Sequence, residues 1–135
     1  MGSQVTPSSS HMDWLMSNLM KRGNLYFVDS MTTHRSIAAT IAKGYGVPTI
    51  KRDVFLDHDA SPEAIEQQFK RLVRIARRQG QALAIGHPYP HTLDALEKYL
   101  PKLQAMGIEL VPVSQLMPPA APVMPAETLH AALEK

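Results

Sequence analysis

The sequence predicts an α/β fold made of parallel strands joined by helical crossovers. Three observations carry this. Short apolar runs alternate with helical patterns, and the strand-then-helix unit recurs at a spacing of roughly 25–35 residues. The strand candidates are near-continuous apolar runs rather than alternating ones, as expected when both sheet faces are covered. The chain has 135 residues, 44% apolar and 19% charged, which is one ordinary globular domain. An open doubly wound sheet and a part of a (β/α) barrel both satisfy these observations.

The elements follow in order. Residues 1–10 are polar and turn-like, and also look like a cloning linker. Ser10 and Asp13 suggest a capping signal, and Met12, Leu15, Met16, Leu19 and Met20 recur at helical spacing up to Gly23. Leu25 to Val28 reads as a buried strand that stops at Asp29-Ser30. Residues 36–43 suit a short helix. Val47 to Ile50 is a second strand, weakened by Pro48, and Val54-Phe55-Leu56 is a further short apolar run.

Ser61-Pro62-Glu63 is a helix start: an N-cap, proline at the first helical position, then an acid near the positive dipole end. Ile65, Phe69, Leu72, Val73 and Ala76 form its apolar stripe, and Gly80 ends it. Ala82 to Ile85 is a third strand, closed by Gly86-His87-Pro88. Thr92 caps a helix carrying Leu93, Leu96, Leu100 and Leu103, which Pro101 kinks or breaks near its end. Ile108 to Val113 is the last strand. From Pro118 the chain is rich in Pro and Ala and reads as an extended tail, with a short helix from Glu127.

Composition excludes several classes. The absence of cysteine rules out disulfides, Cys-based zinc sites and a Cys nucleophile. A net charge of +2 gives no electrostatic case for nucleic acid. No apolar run approaches the ~20 residues of a membrane helix. The first residues lack a basic region followed by an apolar stretch, so no signal peptide is legible. P-loop, dinucleotide, HExxH and nucleophile-elbow motifs are also missing.

Parallel α/β proteins bind ligands at the C-terminal ends of their strands. Asp29-Ser30, Arg52-Asp53, His87 and Ser114-Gln115 each follow a predicted strand. Together they would give one rim an acid or base, carboxylates and an anion clamp. Each also has a structural reading: Asp29 as a cap, Arg52 and Asp53 as a surface pair. A turn has no need of the His in Gly86-His87-Pro88-Tyr89-Pro90, which favours a functional one. Asp57-His58-Asp59 looks like a metal cluster, but adjacent side chains diverge. The Arg74, Arg77 and Arg78 group fits a helix C-terminus.

Leu25-Tyr26-Phe27-Val28-Asp29-Ser30, Lys51-Arg52-Asp53-Val54-Phe55-Leu56-Asp57, Ala84-Ile85-Gly86-His87-Pro88-Tyr89-Pro90 and Leu110-Val111-Pro112-Val113-Ser114, in this order, resemble the divergent polysaccharide deacetylase family. This is a distant branch of the NodB-like carbohydrate esterases. The resemblance covers residues 1–117 and implies part of a distorted (β/α) barrel, the C-terminal portion of a longer domain. Met1-Gly2-Ser3 matches the end of the family's Asn-His-Met-Gly-Ser motif, so the chain is expected to start inside that motif, without the half that carries the Asp-Asp pair.

The implied chemistry is metal-dependent hydrolysis of N-acetyl groups on carbohydrate. His87 corresponds to the superfamily's general acid and Asp29 to the acidic residue after the mid-barrel strand. The resemblance implies that Arg52, Asp53 and Ser30 line the pocket. The family domain uses Zn²⁺ or another divalent metal, and this chain is expected to bind it weakly or not at all and to be inactive alone. The alternative is a non-catalytic α/β protein that binds glycan or a partner. The family is associated with export to the periplasm. Unpaired sheet edges of a partial barrel are expected to promote self-association.

Overall fold

A computed structural model describes residues 2–119 and 122–123, arranged as two compact units. Glu127 and the terminal helix expected there lie outside the described residues, as does most of the tail. The first unit is Met1–Lys51 with Leu116–Lys135; the second is Arg52–Gln115.

In the first unit, α1 (Gly2–Val5) and α2 (Ser9–Arg22) precede β1 (Phe27–Asp29), α3 (Ala38–Gly44) and β2 (Thr49–Lys51). The Met12 and Met16 side chains of α2 are fully buried and pack with Ala38, Ile41, Ala42 and Val47. Leu15 and Leu19 of the expected stripe pack partly buried against this core, whereas Met20 is exposed. Its start differs from the expected Ser10–Asp13 box: the N-cap is Ser8, whose hydroxyl meets the His11 ring at 2.7 Å instead of capping the helix. Gly23 ends α2 at φ 78°, in the left-handed region that favours glycine. β1 and β2 pair in parallel, with Phe27 opposite Thr49 and Asp29 opposite Lys51, and α3 is their crossover.

The second unit repeats the plan with β3 (Val54–Phe55), α4 (Pro62–Gln79), β4 (Ala84–Ile85) and α5 (Pro90–Leu103). Ser61 caps α4, its hydroxyl accepting from the Ala64 N–H at 3.3 Å, and Gly80 closes the helix at φ 85°. Ile65 and Phe69 bury against Val54, Leu56 and Ala95. The amphipathic stripe thus covers the β3–β4 pair. α5 begins earlier than expected: Tyr89 is its N-cap and Pro90 takes the first turn. Thr92 lies inside the helix, 2% exposed, with its hydroxyl used elsewhere. The helix runs through Pro101 to Leu103 and tightens into a 3₁₀ turn, Gln104–Met106.

Two expectations are corrected. The chain forms no barrel and no single four-stranded sheet among the described residues; it holds two separate two-stranded parallel sheets, β1-β2 and β3-β4, neither closed nor curled. The two-residue link between β2 and β3 is too short for these strands to pair in parallel. β2 ends at Lys51 and β3 starts at Val54, whereas parallel neighbours need a crossover of about a dozen residues. The second correction is the strand expected from Ile108 to Val113. Residues 108–112 are irregular and Val113–Leu116 is a 3₁₀ turn, so Ser114 and Gln115 follow no strand. Leu110 is 63% exposed, and Pro112 has no N–H for a ladder.

Candidate functional site

The β3–β4 register builds the site. Val54 faces Ala84 and Phe55 faces Ile85. Continuing that phase by two residues brings Asp57 beside His87, at the C-terminal end of the pair. The contacts match. Asp57 Oδ2 accepts from the His87 backbone N–H at 2.5 Å and from the Thr92 hydroxyl at 2.8 Å. Asp57 Oδ1 lies 3.1 Å from His87 Nδ1. The Asp57 side chain is 0% exposed and that of His87 49%.

Burial pushes the Asp57 carboxyl up. The His87 N–H, the Thr92 hydroxyl and the His87 ring together outweigh it and hold the group below the usual carboxylate range. An ionised carboxylate only accepts, so Nδ1 carries the proton and Nε2 is left to work on a ligand.

Two aromatic rings pack against the imidazole. Tyr89 stacks on it with centroids 4.9 Å apart, and Phe55 meets it edge-on at 5.5 Å. The Arg52 guanidinium sits 5.1 Å from the centre of the Phe55 ring. Arg52 and His87 are therefore brought to one aromatic cluster.

The other expected residues lie as follows. Asp53 precedes β3 and clamps its start to the residue before β4: its N–H donates to the Leu83 carbonyl, and its Oδ2 accepts from the Leu83 N–H, each at 2.8 Å. It stands at the opposite end of the β3–β4 pair from His87. Asp29 belongs to the first unit and is 3% exposed. Its carboxylate accepts from the Ser36 hydroxyl at 2.6 Å and the Met31 N–H at 2.9 Å, ordering the loop after β1. Met31 has φ 49°, a left-handed conformation that this bond helps to hold. Ser30, half-buried, follows Asp29 in that loop.

Asp57, His58 and Asp59 point to different tasks. Asp59 accepts from the Ser61 N–H at 2.8 Å, and that bond holds its carboxyl below the usual range. His58 leans on Phe55 with centroids 6.2 Å apart. Among the described residues no three His, Asp or Glu side chains converge to hold a metal ion. Both Asp57 oxygens and His87 Nδ1 are committed to each other and to Thr92. The described residues of this site therefore do not fit a three-ligand site for the divalent metal that the resemblance implies.

Sequence reasoning missed Asp57 and Thr92 as partners of His87. The signal was present: Asp57 follows its apolar run as His87 follows Ala82–Ile85, and pairing the two runs in parallel aligns them.

Gly86 shows how tightly the clamp closes. A Cβ there would lie 3.3 Å from Asp57 Oδ2 and 3.3 Å from Thr92 Cγ2. Both neighbours are buried and held by hydrogen bonds, so neither can yield freely. Gly86→Ala is expected to cost about 1–3 kcal/mol of stability, read by urea unfolding. A loss within error would show that the clamp is loose.

A buried carboxylate orients a half-exposed histidine at the C-terminal end of a parallel β-α-β pair, an arrangement able to donate or accept a proton. The comparisons give the family. The chain belongs to the divergent polysaccharide deacetylase family, whose sequence profile matches residues 1–117. It is 42% identical over 117 residues to the Escherichia coli protein YibQ, covering 87% of this chain and 36% of that protein. It is 39% identical over 116 residues to a Haemophilus influenzae protein, covering 86% and 41%. The chain therefore spans well under half the length of these relatives. The crystal structure of the Agrobacterium tumefaciens protein ATU2773 superposes with a TM-score of 0.80 at 32% identity, over 84% of this chain and 46% of that one.

Proposed function

We propose that this chain supplies the proton-donating part of a site that hydrolyses N-acetyl groups on carbohydrate, and that alone it is catalytically incomplete. The observation that supports this is the pairing of buried Asp57 with half-exposed His87. In the reaction a water-derived oxygen adds to the acetyl carbonyl and the C–N bond breaks. His87 enters this step as imidazolium, with Nε2 protonated from solvent, and passes that proton to the departing amine nitrogen, while the attacking water gives its proton to a base in the remaining length of the protein. Asp57 stays ionised; it fixes the ring and stabilises the imidazolium. Tyr89 is 46% exposed and stacks on the imidazole, so it can also lie against a sugar ring. The groups that generate the nucleophile belong, in this reading, to the remaining length of a protein such as YibQ.

A second reading is a non-catalytic glycan- or partner-binding site. It is favoured by the lack of a three-ligand cluster among the described residues.

The test replaces the matching stretch of YibQ with this chain and measures acetate release from N-acetylglucosamine oligomers. The hybrid is expected to be active and the chain alone to stay at background. His87→Ala in the hybrid is expected to lower kcat by about 100-fold or more with little change in KM. Unchanged kcat would remove His87 from the acid role. Oligomer binding by both YibQ and the hybrid, with no acetate from either, would establish the binding reading instead.

A further inference from the structure

A groove runs between α4 and α5, built by residues that the Asp57–His87 site does not use. Its volume is about 490 Å³, and Phe69, Val73, Tyr99, Leu103 and Met106 form an apolar floor. Phe69 and Leu103 are each 4% exposed, so the floor is rooted in packed structure. Lys70, Arg74 and Arg77 line the α4 side. They recur at successive helical turns and span about 10 Å of helix axis. The Arg77 guanidinium donates to the Met106 carbonyl at 2.9 Å, which ties one end of the groove together.

On the α5 side the ammonium groups of Lys98 and Lys102 lie 4.9 and 5.5 Å from the centre of the Tyr99 ring. The carboxylate held among these cations is Glu66, which bonds Lys70 at 2.8 Å and the Tyr99 hydroxyl at 2.5 Å, with Lys98 at 3.7 Å. It neutralises the Lys70 end. Arg74, midway along, has no ion-pair partner among the described residues.

We infer that this groove docks an acidic amphipathic helix from a partner protein. Two features favour a helix over a lipid. The apolar floor is recessed between two helices, which a side-chain ridge can enter and a flat bilayer surface cannot. Arg74 and Arg77, beyond the Lys70 end that Glu66 neutralises, stand about one turn apart along the groove and match carboxylates at i and i+3 of a helix laid beside α4. A single-chain lipid has one headgroup and would leave the other cations over hydrocarbon.

The experiment uses the whole 135-residue chain and a fluorescein-labelled synthetic peptide of roughly 18 residues. The peptide has leucines at i, i+3, i+4 and i+7, flanked by glutamates. Anisotropy is expected to show saturable one-to-one binding that weakens with salt. Arg74→Glu is expected to weaken it about tenfold or more. Lys21→Glu makes the same charge change on α2, outside the groove lining, and is expected to leave binding within about twofold. Circular dichroism checks that each variant folds. Met106→Asp, which places a carboxylate on the half-exposed part of the floor, is expected to weaken binding as Arg74→Glu does. Equal effects of Arg74→Glu and Lys21→Glu would overturn the proposal, as would equal affinity for a peptide with lysine in place of glutamate. Binding to phosphatidylglycerol vesicles that Arg74→Glu abolishes, with no peptide binding, would also overturn it and assign the groove to lipid.

Discussion

Replacing Asp57 with alanine is expected to destabilise the Arg52–Gln115 unit by about 3 kcal/mol. The change strands the His87 N–H and the Thr92 hydroxyl, which donate to Asp57 at 2.5 and 2.8 Å. Each buried donor left without a partner costs about 1–3 kcal/mol. Urea unfolding followed by circular dichroism measures the loss, and amide hydrogen exchange at His87 localises it. A loss below about 1 kcal/mol would mean that water replaces the carboxylate at little cost.

The same residue sets a pH dependence. The Asp57 carboxyl is held below its ordinary value because burial, which raises it, is outweighed by bonds from the His87 backbone, Thr92 and the His87 ring. A group depressed on folding contributes stability that is fully present above its unfolded pKa of about 3.9. That contribution is lost as pH falls through the lower folded value. Acid unfolding of the native chain is expected to include this loss, and Asp57→Asn to lack it.

Phe69→Ala is expected to have a second large effect, about 3–5 kcal/mol. Phe69 is 4% exposed within the cluster of Val54, Leu56, Ile65 and Ala95, and its ring centroid lies 5.0 Å from that of Tyr99. Truncation removes packing from β3, α4 and α5 together. Phe69→Leu refills most of the space and is expected to cost less than half as much. Both are read by urea midpoints at constant slope. Equal losses in the two variants would point to the aromatic pair with Tyr99, rather than filled volume, as the source of the stability.

Much of this was legible in the sequence because its signals are local. Ser61-Pro62-Glu63 and Gly80 bound α4 through a side-chain cap, a fixed proline φ and a left-handed glycine. All of these act within a turn of the residue concerned. The stripes of α2 and α4 identified core residues through helical periodicity alone, and the apolar run at residues 82–85 placed His87 just after a strand. Tertiary structure decided the rest. Asp57 becomes the partner of His87 across 30 residues of sequence, and Thr92 joins it across 35; both depend on the β3–β4 register. Thr92 carries an ordinary capping side chain, yet its hydroxyl goes to Asp57 and α5 starts at Pro90. The run at 108–113 has the composition of a strand but no ladder partner. Composition and spacing set what each segment can become. Pairing across the chain determines whether a strand forms, which sheet it joins and which carboxylate a histidine meets, because hydrogen bonds and burial between distant segments exist only once those segments are packed together.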